Sequence, residues 1–182
     1  MAQFLIMVRV PEVEPQVARL RARFDPSAKR GLGAHVTVLH SNLSSDRIDP
    51  IALEQIAATV SSMAPFDYQI TRVARFPGTL YLAAEPAAPF VHLRNRLAAA
   101  LRLDTPEQQG EEPLIPHVSV VRKSVNDDRE VAAELTTMLE RHGPILCECR
   151  QIVLLENSSS LWRPVQEFAL SGDTGSPWQG PS

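Results

Sequence analysis

Cysteine is scarce in this chain: Cys147 and Cys149 are the only two among 182 residues. Two thiols are too few for the disulfide framework of a small secreted domain, and a bridge between positions so close would be badly strained. Long apolar runs are also missing, since none reaches the roughly 18 residues that cross a bilayer as a helix. The hydrophobic start, residues 1–10, has no basic residue before its apolar run and no small-residue cleavage site, so it reads as a first strand and not a signal peptide. Nor is either charge in large excess: 18 Lys and Arg against 21 Asp and Glu leave a formal net charge of -3. Such a surface does not advertise for long nucleic acid, although a local patch suffices for a small nucleotide or an RNA end. Together these absences set a cytoplasmic protein as the expectation.

What is present fits a soluble globular fold, with 44% hydrophobic and 21% charged residues. The length allows one domain or two small lobes sharing a core. Residues 3–10 form an apolar strand ended by Pro11. Val17, Leu20 and Phe24 recur at helical spacing, which predicts a helix over 15–24 stopped by Asp25-Pro26. A glycine-bearing loop over 28–33 carries Lys29 and Arg30, and a strand follows over 35–39. Asp49-Pro50 is a capped helix start leading into the stripe Leu53, Ile56, Ala57, Val60 and Met63. Strands over 66–76 and 79–84 flank a hairpin turn at Pro77-Gly78. Phe90, Leu93, Leu97 and Leu101 mark the next helix, entered at Pro89.

Residues 104–113 are polar, acidic and without period, and are read as a flexible linker or lobe boundary. A strand over 115–121 follows, then a capping box at Asp127 and Glu130. The helix it opens carries Val131, Leu135, Met138 and His142, and closes at Gly143-Pro144. Two strands over 145–155 and 161–170 complete residues 1–170 as a single bilobal domain. Residues 171–182 read as a disordered tail. The order helix, strand, helix, strand, strand occurs twice, as a repeat of pattern without identity.

The middle strands of the two copies carry matching tetrapeptides, His35-Val36-Thr37-Val38 and His117-Val118-Ser119-Val120. Side chains alternate faces along a strand, so each motif presents an imidazole and a hydroxyl on one face, about 6.6 Å apart. If the copies pack about a pseudo-twofold axis, both pairs face one cleft, and two imidazoles with two hydroxyls suit a phosphate. Half-buried strand histidines are the bland alternative, but the repeated context favours function. Histidine titrates near neutrality, so one ring takes a proton from water while the other gives one to a leaving oxygen. Hydroxyls stabilise charge building on the non-bridging oxygens. No metal is needed in this scheme.

These two HxTx-type motifs resemble those of the two-histidine (2H) phosphoesterase superfamily, in particular its 2'-5' RNA ligase and cyclic nucleotide phosphodiesterase branch, over about residues 3–170. The resemblance implies an α+β bilobal fold with antiparallel sheets around a central cleft and helices outside. It implies metal-independent, cofactor-free chemistry on a nucleotide or RNA end carrying a 2',3'-cyclic phosphate or 2'-5' linkage, with 2'-5' ligation as the reverse reaction. His35 and His117 match the catalytic histidines, and Thr37 and Ser119 the phosphate-binding hydroxyls. Arg122 sits where several members have a basic residue. Serine at 119 replaces the more usual threonine and keeps the hydroxyl.

Weaker candidates are Lys123 beside Arg122, the loop cations Lys29 and Arg30, and the aromatics Phe76, Tyr81 and Trp162 as base-stacking surfaces. His40, at an odd offset from His35, is expected on the opposite strand face. His92 and His142 are expected on helix surfaces. Cys147 and Cys149 share a strand face but lack the four ligands of a structural metal site. The leading expectation is a phosphodiesterase, and the alternative is a non-catalytic nucleotide or RNA-end binder of the same fold.

Overall fold

The computed structural model describes residues 3–41, 48–103, 113–122 and 128–173. The expected linker or lobe boundary at 104–113, apart from Pro113, the capping Asp127, Lys123 and most of the tail lie outside the described residues. In chain order the elements are β1 (Phe4–Arg9), α1 (Glu14–Phe24), α2 (Pro26–Lys29), β2 (His35–Ser41), α3 (Pro50–Ser61), β3 (Phe66–Phe76), β4 (Thr79–Glu85), α4 (Ala88–Ala100), β5 (His117–Arg122), α5 (Asp128–His142), β6 (Ile145–Cys149), β7 (Gln151–Glu156) and β8 (Arg163–Ala169).

Strand β1 is apolar from Phe4 to Val8 because both of its faces are covered there. Phe4, Ile6 and Val8 enter the main core, while Leu5 and Met7 join a small cluster with Leu32, Val153, Leu155 and Trp162. Helix α3 begins as its sequence predicts: the Asp49 carboxylate accepts from the Ala52 N–H at 2.8 Å and Pro50 opens the first turn. Gly78 takes a φ of 74° in the β3–β4 turn, a conformation that favours glycine.

The eight strands form one antiparallel sheet in the order β6-β3-β4-β5-β2-β1-β7-β8. At its centre β2 meets β5 through a single residue pair, Val36 opposite Val118, whereas β1–β2 and β4–β5 pair along most of their length. The sheet is therefore two four-stranded halves joined at one point, which makes the molecule bilobal. The helices cross between halves: α1 packs on β5 and α4 on β2, so each motif strand is backed by the helix of the other copy.

Two expectations change. Residues 145–155 are not one strand: the chain breaks at Arg150, β6 pairs with β3 at one edge, and β7 pairs with β1 and β8 in the other half. No glycine or proline marks the switch. The difference appears in burial, alternating in β6 and continuous in β7. Ser171 and Gly172, placed in the tail by composition, are tied to the end of α3 through Ser171 Oγ to the Ser61 carbonyl at 3.2 Å and Gly172 N–H to the Met63 carbonyl at 2.9 Å. A Cβ on Gly172 would lie 2.6 Å from the Ser62 carbonyl oxygen, so only glycine fits this close approach. No described helix is long and apolar enough to cross a membrane.

Candidate active site

In both motif strands the valines enter the core and the polar side chains face outward. Val36 and Val38 are 0% and 2% exposed and Val118 and Val120 are both 0%, while His35, Thr37, His117 and Ser119 are half-buried. The opposed pair Val36 and Val118 fixes the antiparallel register, setting His35 across from Ser119 and Thr37 across from His117. Each imidazole thus neighbours the hydroxyl of the other strand.

A second feature of these strands is not legible in their sequences. Against β1, Ile6 pairs with Leu39 and Met7 with Thr37, leaving Val38 as an extra residue. Against β4, Leu80 pairs with Val121 and Tyr81 with Ser119, leaving Val120 extra. Both strands therefore bulge at the fourth residue of the motif, and a bulge reverses the alternation that follows it. Arg122 consequently shares the face of His117. His40 joins the face of His35, so its expected place on the opposite face is overturned.

His35, Thr37, His40, His117 and Arg122 line one cavity of about 630 Å³, together with Arg30 and Trp162. Ser119 is not among the lining residues; it stands beside them in register, with its carbonyl accepting from Arg21 Nε at 3.1 Å. Lys29 is exposed at the end of α2 and does not reach the cavity, and His92 and His142 are exposed on α4 and α5. Trp162 is only 8% exposed. Phe76 and Tyr81 stack on each other at 4.2 Å, and both rings lie 5.1 Å from His117, forming the wall behind that imidazole.

The two motif histidines are held alike. His35 Nδ1 lies 2.8 Å from the Gly33 carbonyl and His117 Nδ1 lies 2.7 Å from the Ile115 carbonyl. A carbonyl only accepts, so each Nδ1 carries its hydrogen and each Nε2 is left for chemistry. Burial pushes His35 down to about 4; the Gly33 carbonyl opposes this, while Arg21 and Arg122 add to it. His117 is lowered as well, chiefly by burial and further by Arg122, against the pull of the Ile115 carbonyl. Burial, Arg122 and Arg30 lower His40.

The lining includes no aspartate or glutamate among the described residues. A larger hollow of about 1030 Å³ lies at the β3–β6 edge, lined by Glu12, Asp67, Glu85 and Glu148, whose charge opposes an anion. Of these two, the histidine cleft is the one suited to phosphate. Among the described residues no group of three or more His, Cys, Asp and Glu could hold a metal ion. The free thiols of Cys147 and Cys149 are buried and both pushed up to about 12 by that burial.

Beneath the site lies a network absent from the sequence reading. Arg21 and Asp25 are each 1% exposed and bond at 2.9 Å. Arg21 also donates to the Ser119 and Leu32 carbonyls, both at 3.1 Å, and Ser27 N–H and Oγ donate to Asp25 at 2.9 and 2.7 Å. The available signal was an arginine within the apolar stripe of α1, four residues before an aspartate.

Among solved structures the fold is similar to TT0787 of Thermus thermophilus, with a TM-score of 0.64 and 18% identity over 94% of this chain and 99% of that one. It is similar also to E. coli LigT complexed with ATP, with a TM-score of 0.60 and 15% identity over 93% of this chain and 98% of LigT. LigT complexed with 3'-AMP matches with a TM-score of 0.60 and 13% identity, over 93% of this chain and 98% of LigT. No curated protein matches the chain. The family model described as the 2'-5' RNA ligase superfamily matches residues 10–160, a span that contains both histidine motifs. The chain belongs to the 2'-5' RNA ligase superfamily, within the two-histidine phosphoesterases.

Proposed function

We propose that this chain is a phosphodiesterase acting on nucleotides or RNA ends that carry a 2',3'-cyclic phosphate or a 2'-5' linkage. The observation that carries the reading is the pair of imidazoles, each anchored through Nδ1 to a carbonyl, opening onto one cavity lined by arginine and histidine with no carboxylate among the described residues. The nucleotides bound by LigT, ATP and 3'-AMP, support a nucleotide in this cleft.

In hydrolysis of a cyclic phosphate, one neutral Nε2 takes a proton from water as its oxygen attacks phosphorus. The other, protonated, gives its proton to the departing ribose oxygen as the P–O bond breaks. Thr37 and Ser119 hydroxyls and the Arg122 guanidinium donate to the non-bridging oxygens, where negative charge accumulates. Ligation runs the same steps in reverse, with a ribose hydroxyl in place of water.

The test is turnover across 2',3'-cyclic mononucleotides, ADP-ribose cyclic phosphate and 2'-5' oligoadenylate. Hydrolysis of at least one is expected; tight binding of a phosphorylated nucleotide with no turnover of any would make the chain a binder only.

The burial of both rings also sets the pH dependence. The productive form has one imidazole neutral and one protonated, so in the free enzyme it is most populated between the two pKa values. One lies at about 4 and the other below the ordinary 6.5 of histidine, so the kcat/KM profile is expected to peak on the acid side of pH 6.5. A bound phosphate favours both protonated forms, so the kcat peak lies at higher pH than the kcat/KM peak. Initial rates in buffers of constant ionic strength check both; a kcat/KM maximum above pH 7 contradicts the environments described.

A further inference from the structure

The cleft holds more positive charge than one phosphate uses. His40 is the pseudo-twofold counterpart of Arg122: each is the fifth residue after its motif histidine, and each is turned into the cavity by a bulge at the same motif position. Where the β5 strand supplies a guanidinium, β2 supplies an imidazole, and the charge beside it comes from Arg30.

Arg30 is held in place. Its Nε donates to the Ser160 carbonyl at 3.2 Å, its guanidinium carbon lies 5.6 Å from the centre of the Trp162 ring, and its own carbonyl accepts from the Trp162 N–H at 2.9 Å. Trp162 packs in the cluster with Leu5 and Leu32. It also meets His40 edge-on, with ring centroids 6.3 Å apart. The indole is thus a post against which a cation and an imidazole are fixed on the same cavity wall, with most of its own surface removed from base stacking. A pre-positioned guanidinium recognises phosphate well because its donors lose little freedom on binding.

We propose that Arg30 and His40, fixed against Trp162, form a second phosphate subsite, so that the substrate of this cleft carries a second phosphoryl group beside the scissile one. The identity of the first site rests on the phosphoesterase reading above. The substrate class this selects is an oligonucleotide or a nucleotide with a further phosphate, in preference to a nucleoside cyclic monophosphate.

The test is titration calorimetry of the full chain at about 0.15 M ionic strength, where diffuse attraction is screened. Adenosine 2'-monophosphate is compared with adenosine 2',5'-bisphosphate and with the dinucleotide ApA bearing a terminal 2'-phosphate. At least one of the two ligands with two phosphate groups is expected to bind about tenfold tighter than the monophosphate, and which one does so names the terminal or the internucleotide phosphate as the source. Arg30→Gln, and separately His40→Phe, which keeps a ring against Trp162, should each reduce that ratio to less than about threefold. Equal affinities for all three ligands in the unmodified chain, or an advantage that survives both substitutions, overturns the subsite. Because binding is read without turnover, an intact advantage in a chain that hydrolyses nothing would count against the phosphoesterase reading alone.

Discussion

Replacing His117 by alanine is expected to lower kcat on whichever substrate proves to be turned over by at least about a hundredfold, and His35→Ala to do the same, since positioned general acids and bases contribute about 10²–10⁴-fold. Each variant removes the imidazole that the proposed mechanism uses as a proton carrier, a ring whose orientation is fixed through Nδ1 by the Ile115 or Gly33 carbonyl. Neither loss should be confused with unfolding, because both rings are half-buried at the cleft and stand outside the main core. The melting temperature should therefore change little while the rate collapses. The double variant should be only slightly worse than either single one, because the two rings act as a unit and their effects do not multiply. Thr37→Val should cost less than either histidine, and mainly in kcat, because in the proposed mechanism its hydroxyl meets charge that grows in the transition state. Full activity in either alanine variant ends the two-histidine mechanism.

The parts of this site that were legible in sequence are those governed by local periodicity. His35 and Thr37, and likewise His117 and Ser119, alternate with valines, and alternation alone places them together on one face. That the faces meet depends on the repeat of pattern, and the Val36–Val118 pair supplies the contact. The bulges were not legible. The stretches Val38-Leu39-His40 and Val120-Val121-Arg122 look like continuing strand, and the extra residue is set by how β1 and β4 pair with them. His40 was misplaced for that reason. Resemblance to known motifs carried Arg122 past the same odd offset.

The fold shows the same division. Helix starts at Asp49-Pro50 and the turn at Pro77-Gly78 depend on a few adjacent residues and were placed from them. The switch of the chain between halves at Arg150 depends on which strand each segment pairs with, and no local residue announces it. Composition also assigned Gly172 to the tail, because nothing in the sequence shows the Met63 carbonyl that receives its N–H.

Arg21→Met is expected to destabilise the protein by about 3–5 kcal/mol, because it leaves the Asp25 carboxylate buried without its partner. For a chain of this size that lowers the melting temperature by roughly 6–20 °C, at about 2–4 °C per kcal/mol. The large value follows from position: both side chains are about 1% exposed, so water cannot replace what is removed. Asp25 would retain only the Ser27 N–H and hydroxyl as donors. Adding Asp25→Leu to Arg21→Met should recover part of the loss, since removing both charges ends the desolvation cost that removing one exposes. Arg21→Lys separates charge from geometry. It keeps a cation beside Asp25 but cannot reproduce the fork that reaches the Ser119 carbonyl, the Leu32 carbonyl and Asp25 together. Its melting temperature should therefore lie between those of Arg21→Met and the unmodified chain, while its kcat falls with KM little changed, as Ser119 loses its fixed place across from His35. Thermal melts of the three variants and the unmodified chain, read with kcat and KM where the protein stays folded, decide the matter. Arg21→Met melting within about 2 °C of the unmodified chain would mean that this ion pair carries no net stability.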